Sequence, residues 1–528
     1  RTPLRVGRLQ FDRRGSGFFR PADREDDELF VHSSKIADAF PGDLVLVRMT
    51  SRARGDRLGE GRVIEVIERG KKPVRGTYWQ GKDGGLVACD DPRMPSDVFI
   101  PKEGKENIKD GQRVLVRLSK GSRGRFPHGE IILILTNEDS LEADFAVVQA
   151  EFDLPIGHPD GVVDEAAALP AVEDGAAWPD RTDLRDLPTI TIDPRDARDF
   201  DDAVSLEMLD GGRSRIGVHI ADVSAYVQPG SLIDQSAESR GTSIYLPGRV
   251  IPMLPERLAN DLCSLRPEED RLAKSVFMVF SSEGKLIETE ICRSVIRSKR
   301  RFTYGEALAI LDSLEGRDVP AGDLPPDRAD YEPILERMAF LRDCLKDART
   351  RRGALFLDLP QLKIRVGENG QVESVDREQG DPAHSLIEEF MLAANEAVAR
   401  YLQEQGLSTL ARVHPAPSEE KLADFREMLQ ALGLDLRPRP EVNDLQKLVD
   451  KVAGGPLAVT VQVGLLRTMG HAEYTAQPDL HFALSTTTYC HFTSPIRRYP
   501  DLVVHQILEE HLKKLSGGSG MTAKRRVH

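Results

Sequence analysis

Along residues 1–135 the apolar positions come in short runs, alternating or continuous, cut by Gly, Asp and Pro. LRVGRLQF, GSGFFRP, ELFVHSS and DLVLVRM form one series, and VRGTYWQ, GGLVACD, DVFIP and QRVLVRL form a second. Such patterning between turn residues predicts strands. The two series share an order: strand, glycine turn, aromatic-bearing strand, and a late GDLVLVRM or GQRVLVRL strand. Two small all-β barrels in tandem are therefore expected, over 1–71 and 72–135. Residues 136–187 lose the pattern. Asp, Glu, Ala and Pro dominate there, which predicts a surface-running connector with one short helix. From about 188 to 515 strand-rich sequence (RIGVHIADV, SVFMVFSS) gives way to helical sequence. YEPILERMAFLRDCLKDARTRR, AHSLIEEFMLAANEAVARYLQEQG and SEEKLADFREMLQALG carry apolar residues three and four apart. The last is expected to open at Ser418, before Glu419 and Glu420, and to close at Gly433. The end, LKKLSGGSGMTAKRRVH, reads as a helix, a Gly/Ser hinge and a basic tail over 516–528. The expected architecture is multidomain α+β: two N-terminal β-barrels, a connector, and a large mixed α/β domain.

Composition narrows this little but excludes several classes. A chain of 528 residues exceeds one ordinary core, and 40% hydrophobic with 30% charged residues is the make-up of a soluble globular protein. No apolar run approaches the length of a membrane span. The first residue is Arg1 rather than Met, so a fragment or trimmed chain is expected, and a targeting segment would be invisible. Cys89, Cys263, Cys292, Cys344 and Cys490 are scattered, odd in number and form no C-x-x-C pair. That argues for a reducing cytoplasm and against a disulfide framework or zinc site. The net charge of −14 taken alone argues against a nucleic-acid binder, but the local field is what matters. RVLVRLSKGSRGRF (113–126) and RSVIRSKRR (293–301) are locally basic, and each also reads as solvated surface. A monomer is the default expectation.

One stretch stands apart. TIDPRDARDFDDAVSLE (191–207) crowds Asp193, Asp196, Asp199, Asp201 and Asp202 into ten residues, between the apolar runs PTITI and AVSLE. Bordered by apolar strands, these carboxylates lose solvation and their repulsion grows. A divalent cation would offset it. Mg²⁺ prefers oxygen ligands and takes few carboxylates, leaving room for water and a substrate phosphate; Mn²⁺ also accepts oxygen. Asp199 and Asp201 are two apart and face the same way on an extended segment, while Asp202 faces the other way unless the chain turns. Asp193, six residues before Asp199, could return to the same pocket. An EF-hand does not fit, because its Gly and distal Glu are not in place. An acidic strand end with helix-capping aspartates is the alternative. Metal held by carboxylates beside phosphate points to phosphodiester hydrolysis, which also needs a cation for the developing charge. HFTSPIRRYPDLVVH (491–505) offers Arg497 and Arg498; a salt bridge to Asp501 accounts for the pair equally well.

The stretch 191–203, HIADVSAYV (219–227), RGTSIYLPGRVIPMLPERLANDLCSL (240–265), LIEEFMLAAN (386–395) and HFTSPIRRYPDL (491–502) together resemble the RNB-domain exoribonucleases. This is the ribonuclease II and ribonuclease R family, and the last segment leans toward the ribonuclease R branch. The resemblance implies an RNB catalytic domain over 188–515 and two OB-type cold-shock barrels before it. It implies processive, hydrolytic 3′-to-5′ degradation of single-stranded RNA to nucleoside 5′-monophosphates, with a short end product. By position Asp193, Asp199, Asp201 and Asp202 match the family's metal acids. Asp201, Asp202 and Arg497 are the implied catalytic residues, with Asp201 the most rate-sensitive acid. Asp196 supports from behind, and Arg498 contacts phosphate. Tyr245 and Phe356 match the aromatic clamp on the 3′-terminal bases, with core packing as the alternative for each. Glu388 would hold the terminal ribose, against a solvated helix face. GSGFFRP and ELFVHSS resemble the two RNA-binding strands of a cold-shock barrel, so Phe18, Phe19 and Phe30 are candidate stacking platforms. At least one of these must face the core, since alternate strand residues point inward. The further OB-type domain that usually follows the catalytic domain, and the branch's N-terminal helix-turn-helix, are not in this chain. A noncatalytic RNA-binding regulator on the same fold is the alternative function, but it should have lost metal acids and none is replaced here. A DNA exonuclease would share the chemistry without the ribose contacts.

Overall fold

The computed structural model describes residues 4–12, 15–21, 28–51, 58–101, 108–123, 126–135, 141–320, 322–359, 361–367, 371–378, 380–516 and 523–526. Two compact units result, Arg1–Ile156 with Val366–Glu373, and Gly157–Arg365 with Ser374–His528.

In the first unit, β1 (Leu4–Phe11), β2 (Gly17–Pro21), β3 (Leu29–Val31), β4 (Leu44–Ser51) and β5 (Gly59–Glu68) close a barrel in the order β1-β2-β3-β5-β4. Alternation does the work: Leu9, Phe19, Leu29, Val31, Val45, Val47 and Val63 point inward and fill it. A second closed barrel, β6 (Val74–Gln80), β7 (Gly84–Cys89), β8 (Val98–Pro101), β9 (Arg113–Arg123) and β10 (Phe126–Leu135), runs β10-β8-β7-β6-β9. Its core of Val74, Tyr78, Val87, Val98, Ile100, Val114 and Val116 is completed by Phe40, from the loop ahead of β4. The buried Asp43 carboxylate accepts from Phe40 N and Gly70 N and pairs with Arg69, so the start of the linker between the barrels is pinned to the loop ahead of β4.

The stretch after the barrels is more ordered than its composition suggests. Instead of a connector with one short helix it holds α1 (Leu141–Phe152), α2 (Asp160–Ala167) and the short strand β11 (Thr182–Leu184). Polar composition misled here because Phe145, Val162 and Ala166 supply just enough apolar surface to dock these helices.

The second unit is built on one mixed sheet. Its strands are β11, β12 (Thr189–Asp193), β13 (Asp202–Met208), β14 (Ser214–Ala221), then, after α3 (Leu232–Arg240) and the hairpin β15 (Ile244–Leu246) and β16 (Arg249–Ile251), β17 (Asp270–Phe280), β18 (Leu286–Arg297) and β19 (Arg300–Thr303). The order is β11-β18-β17-β14-β13-β12-β19. Next come α4 (Tyr304–Leu314), α5 (Glu332–Arg352), a hairpin β20 (Gln361–Val366) and β21 (Val372–Glu378), and α6 (Pro382–Glu404). The strand β22 (Ala411–Val413) precedes α7 (Glu419–Ala431), α8 (Val442–Val452) and α9 (Ala458–Thr468); β23 (Glu473–Thr475), α10 (Tyr499–Ser516) and β24 (Ala523–Arg526) complete the order. β24 lies on β18, so part of the expected basic tail is a sheet edge; its other residues past 516 lie outside the described ones.

Period-two alternation lets the sheet bury both faces. Val204, Val218 and Ile220 pack on α4, α5 and α6, while Ala203, Ala221 and Ala273 pack on α2 and α3. α7, α8 and α9 gather a smaller core around Phe425, Leu429, Leu448 and Leu465. α7 opens as its sequence indicates, with the Ser418 hydroxyl accepting from Lys421 N at 3.3 Å. Gly353 closes α5 at φ +92°, a conformation other residues resist. Among the described residues no helix is long and apolar enough to cross a membrane.

Candidate active site

Strand pairing, not sequence spacing, gathers the acids. β12 runs antiparallel to β13, with Ile190 opposite Val204, and parallel to β19, with Asp193 beside Thr303. The end of β12 therefore meets the start of β13, and the loop 194–201 folds back between them. Asp193 and Asp201 are 7% and 4% exposed, Asp199 and Asp202 are half-buried, and Asp196 is exposed. Burial pushes the Asp193 carboxyl up to about 7, with Asp202 and Asp199 adding to it. Burial likewise raises Asp202 to about 6, against the pull of Arg497 and Arg498. Asp201 is held well above the ordinary carboxylate range by burial, although Arg497 and the Ile496 amide oppose this. Asp193 Oδ2 is buried without a hydrogen-bond partner.

Burial outweighs the nearby arginines at each of these carboxyls, and a cation among them would favour their charged forms. Among the described residues no three acidic, histidine or cysteine side chains are arranged to hold a metal ion.

Opposite the acids lies the segment ahead of α10. Asn395 of α6 accepts from Phe492 N at 2.8 Å, and His505 Nε2 meets Phe492 O at 2.9 Å. Ile496 N donates to Asp201 Oδ1 at 2.9 Å, which ties this segment to the carboxylates. The two arginines then part. Arg498 Nη2 donates to Asp501 Oδ1 at 2.7 Å, and its side chain is 22% exposed. Arg497 Nε stands 3.7 Å from Asp201 Oδ2, and its side chain is 44% exposed. The salt-bridge reading thus holds for Arg498 Nη2, and its charge also acts on Asp202. Arg497 faces the acids and solvent.

The same segment positions Tyr245. Ser243 N and Thr242 Oγ1 both donate to Arg497 O at 2.9 Å, and Tyr499 N donates to Gly241 O at 2.9 Å. Two residues on, the Tyr245 hydroxyl donates to Asp199 Oδ2 at 3.2 Å while the residue stays 53% exposed. Core packing is therefore excluded for Tyr245. Phe356 is different. Its contacts are Arg349 at 5.0 Å and Lys346 at 5.9 Å from the ring, and its N–H on Gln446; none is with Tyr245 or the carboxylates. Glu388 is exposed on α6, whereas Glu389 is buried on Arg349 at 2.6 Å.

Tyr304, absent from the sequence candidates, belongs to this group. It is the first residue of α4, directly after Thr303, which lies beside Asp193. Burial and the nearby Asp202 and Asp193 raise its phenol. Its ring stacks on His384 at 3.7 Å, one turn before Glu388. A signal was present: Thr303 and Glu306 form a capping box, which marks Tyr304 as a helix start at a strand end.

In the first barrel Phe18 and Phe30 face each other across β2 and β3 with ring centroids 5.7 Å apart, both half-buried. Phe19 is 0% exposed, which corrects it from stacking platform to core. The basic run 293–301 is largely spent internally: Arg293 on Glu509, Arg297 on Asp270, Arg300 on Asp327 and Glu306. In the run 113–126, Arg113 pairs with Asp90 and Arg123 with Asp83, and residues 124–125 lie outside the described ones. All five cysteines are free thiols.

Comparison with known proteins identifies the domains. The RNB domain matches residues 181–514, the ribonuclease B OB domain residues 7–66, and the cold shock domain residues 86–159. Ribonuclease R of Thermotoga maritima is 38% identical over 520 residues, covering 97% of this chain and 71% of its own. Ribonuclease R of Escherichia coli is 36% identical over 530 residues, covering 99% of this chain but 64% of its own, less than two thirds. The solved structure of Mycoplasma genitalium RNase R in complex with ribose-methylated single-stranded RNA superimposes with a TM-score of 0.86 at 27% identity, over 97% of this chain and 80% of that one. The same enzyme in complex with double-stranded RNA gives 0.79 at 26% identity, over 92% and 82%. Yeast Ssd1, a pseudonuclease, shares the fold at 18% identity and a TM-score of 0.68, over 97% and 69%. The chain belongs to the RNB-domain exoribonuclease family, that of ribonuclease II and ribonuclease R, and lies on the ribonuclease R side.

Proposed function

We propose that this chain degrades single-stranded RNA processively from the 3′ end, by divalent-metal-assisted hydrolysis, to nucleoside 5′-monophosphates. One observation carries the reading. Buried carboxylates whose charge is not offset face an exposed arginine, Arg497, 3.7 Å from Asp201. Asp193, Asp199, Asp201 and Asp202 would hold the ion, Mg²⁺ by preference and Mn²⁺ as the substitute. When bound, the ion supplies Lewis-acid stabilisation and an activated water.

The chain's own groups do the rest. Ile496 N–H fixes one oxygen of Asp201 and so sets the direction of the other. Arg497 meets the charge that develops on the phosphate. Its Nη2 donates to Ser494 Oγ at 3.0 Å, which limits its swing. The Tyr245 ring stacks on the terminal base region, and Glu388 accepts from the terminal ribose. Phe18 and Phe30 add a base-tolerant platform, so little sequence preference is expected. RNA with a 3′ overhang on a duplex is a further substrate, in keeping with the double-stranded RNA held by the Mycoplasma enzyme. The protein acts as a cytoplasmic monomer, which its free thiols suit.

The noncatalytic reading draws on the fold shared with a pseudonuclease, but the four acids and Arg497 are all present. A time course on 5′-labelled single-stranded RNA, with Mg²⁺ or chelator and beside matching DNA, tests the proposal. Full-length RNA should collapse to a short labelled remnant only with metal, while DNA persists. RNA that is bound but stays intact in both Mg²⁺ and Mn²⁺ overturns it.

A further inference from the structure

We propose that Arg301 is a positioning residue for the carboxylate loop, a clasp that shapes the metal seat without using any of its oxygens. The inference rests on reading the four aspartates as that seat. Arg301 lies on β19 opposite Thr191 of β12, which places its side chain along the start of the loop. Its Nη2 donates to Pro194 O at 2.6 Å and to Arg195 O at 3.0 Å. Its guanidinium carbon also stands 4.9 Å from the centroid of the Phe200 ring, at the loop's other end. Phe200 is 6% exposed and anchored by its own backbone, through Ser264 Oγ at 3.1 Å and Leu265 N at 3.0 Å. One side chain thus grips both ends of residues 194–200, the turn that sets Asp199 and Asp201 against Asp193.

The choice of acceptors is what assigns the role. Arg300 beside it gives Nε and Nη2 to the carboxylates of Asp327 and Glu306, and Nη1 to Arg301 O at 2.6 Å, so none of its hydrogen bonds reaches the loop 194–200. Those of Arg301 end on backbone carbonyls of that loop. Its positive charge tempers the repulsion within the acid group through space, while the carboxylate oxygens remain available to a cation. Lysine cannot replace it, because the clasp needs one planar group to bond the carbonyls and lay a flat face on an aromatic ring at the same time.

The test is Mn²⁺ binding to the RNA-free protein, followed by electron paramagnetic resonance, for wild type, Arg301→Lys, Phe200→Leu and Arg300→Lys. Groups that orient ligands typically cost about ten- to a hundredfold in metal affinity when changed. Arg301→Lys is expected to weaken Mn²⁺ at least about tenfold, at the low end of that range. Phe200→Leu should weaken it less, and Arg300→Lys not at all. RNA affinity in chelator should be unchanged throughout. A merely structural role would lower the melting temperature of Arg301→Lys and leave the Mn²⁺ affinity of the folded protein intact, which overturns the proposal. So does equal weakening by Arg300→Lys. If Arg301→Lys does not fold, Phe200→Leu decides, and an unchanged Mn²⁺ affinity there overturns it. If wild type binds no Mn²⁺, the metal-seat reading falls first and the clasp falls with it.

Discussion

Asp201 and Asp222 are both buried aspartates at one end of the same sheet, just before β13 and just after β14, joined through the backbone by Ala221 N donating to Asp201 O at 2.9 Å. Their surroundings diverge. Asp222 meets the Lys274 ammonium, the Arg181 guanidinium at 2.7 Å and the Ser224 hydroxyl at 2.7 Å. Lys274, itself fully buried, also reaches Glu509 of α10 at 3.0 Å, and Arg293 meets Glu509 at 3.1 Å. Burial opposes ionisation of Asp222, yet Lys274 and Arg181 hold its carboxyl well below the usual range. At Asp201 burial wins over the half-exposed Arg497, and the carboxyl is held well above that range. A buried aspartate with its cations supplied is part of the frame, here fastening α10 to the sheet. A buried aspartate without them is waiting for a charge from outside.

The same substitution at both positions separates these roles most sharply. Asp201→Asn should cost about three to four orders of magnitude in turnover, as for other preorganised charge groups. RNA binding in chelator should be kept, and the metal-free melting temperature should not fall, because a repelled charge is removed. Single-turnover kinetics and filter binding measure this; loss of binding would count against the comparison. Asp222→Asn should do the reverse. It strands Lys274 and Arg181 without their counter-charge and should destabilise by roughly 3–5 kcal/mol in denaturant titration, with turnover of the folded protein changed far less.

The adjacent arginines repeat the contrast on a smaller scale. Arg497→Lys should lower kcat by about ten- to a hundredfold with little effect on stability, since lysine loses the planar donors a phosphate uses. Arg498→Lys should mainly cost stability, on the order of 1–3 kcal/mol, because it weakens the buried contact with Asp501. Equal kinetic losses from the two would erase the distinction between them.

The smallest effect is a pH dependence. The folded carboxyls of Asp193 and Asp202 titrate near 7 and 6, above the ordinary unfolded value of about 4. The stability from their protonated forms is thus fully present below about pH 4 and lost as pH rises through 6 and 7. In chelator the melting temperature should fall between pH 5 and 8, and Mg²⁺ should restore it most at the alkaline end. Asp222 works in the opposite direction: its contribution holds above the unfolded pKa and is lost only as pH falls through its depressed folded value. A metal-induced stabilisation that is flat with pH would blur the contrast between the two aspartates.

Much of this was legible before any coordinates. The barrels follow from alternation, α7 from its Ser418 cap, and the crowding of acids in 191–207 from composition. What escaped did so for physical reasons. α1 and α2 hide in polar sequence because a docked helix needs only a narrow apolar stripe. Phe18 and Phe19 are neighbours of one type, and only the barrel's inward face distinguishes them. Arg497 and Arg498 could each have paired with Asp501, and the turn entering α10 chose Arg498. Tyr304 was missed because its value lies in the strand end beside it, not in its own pattern.

The sequence by itself determined the periodicities, the caps and the density of carboxylates in 191–207, since these depend on chemistry between near neighbours in the chain. The tertiary structure alone decided which charges are answered. Desolvation and counter-charge come from groups the fold brings in: Lys274 and Arg181 for Asp222, Asp501 for Arg498, and Arg497 with a backbone amide for Asp201. Whether a buried aspartate becomes frame or site is set by the sum of those fields, and that sum exists only once the strands have paired.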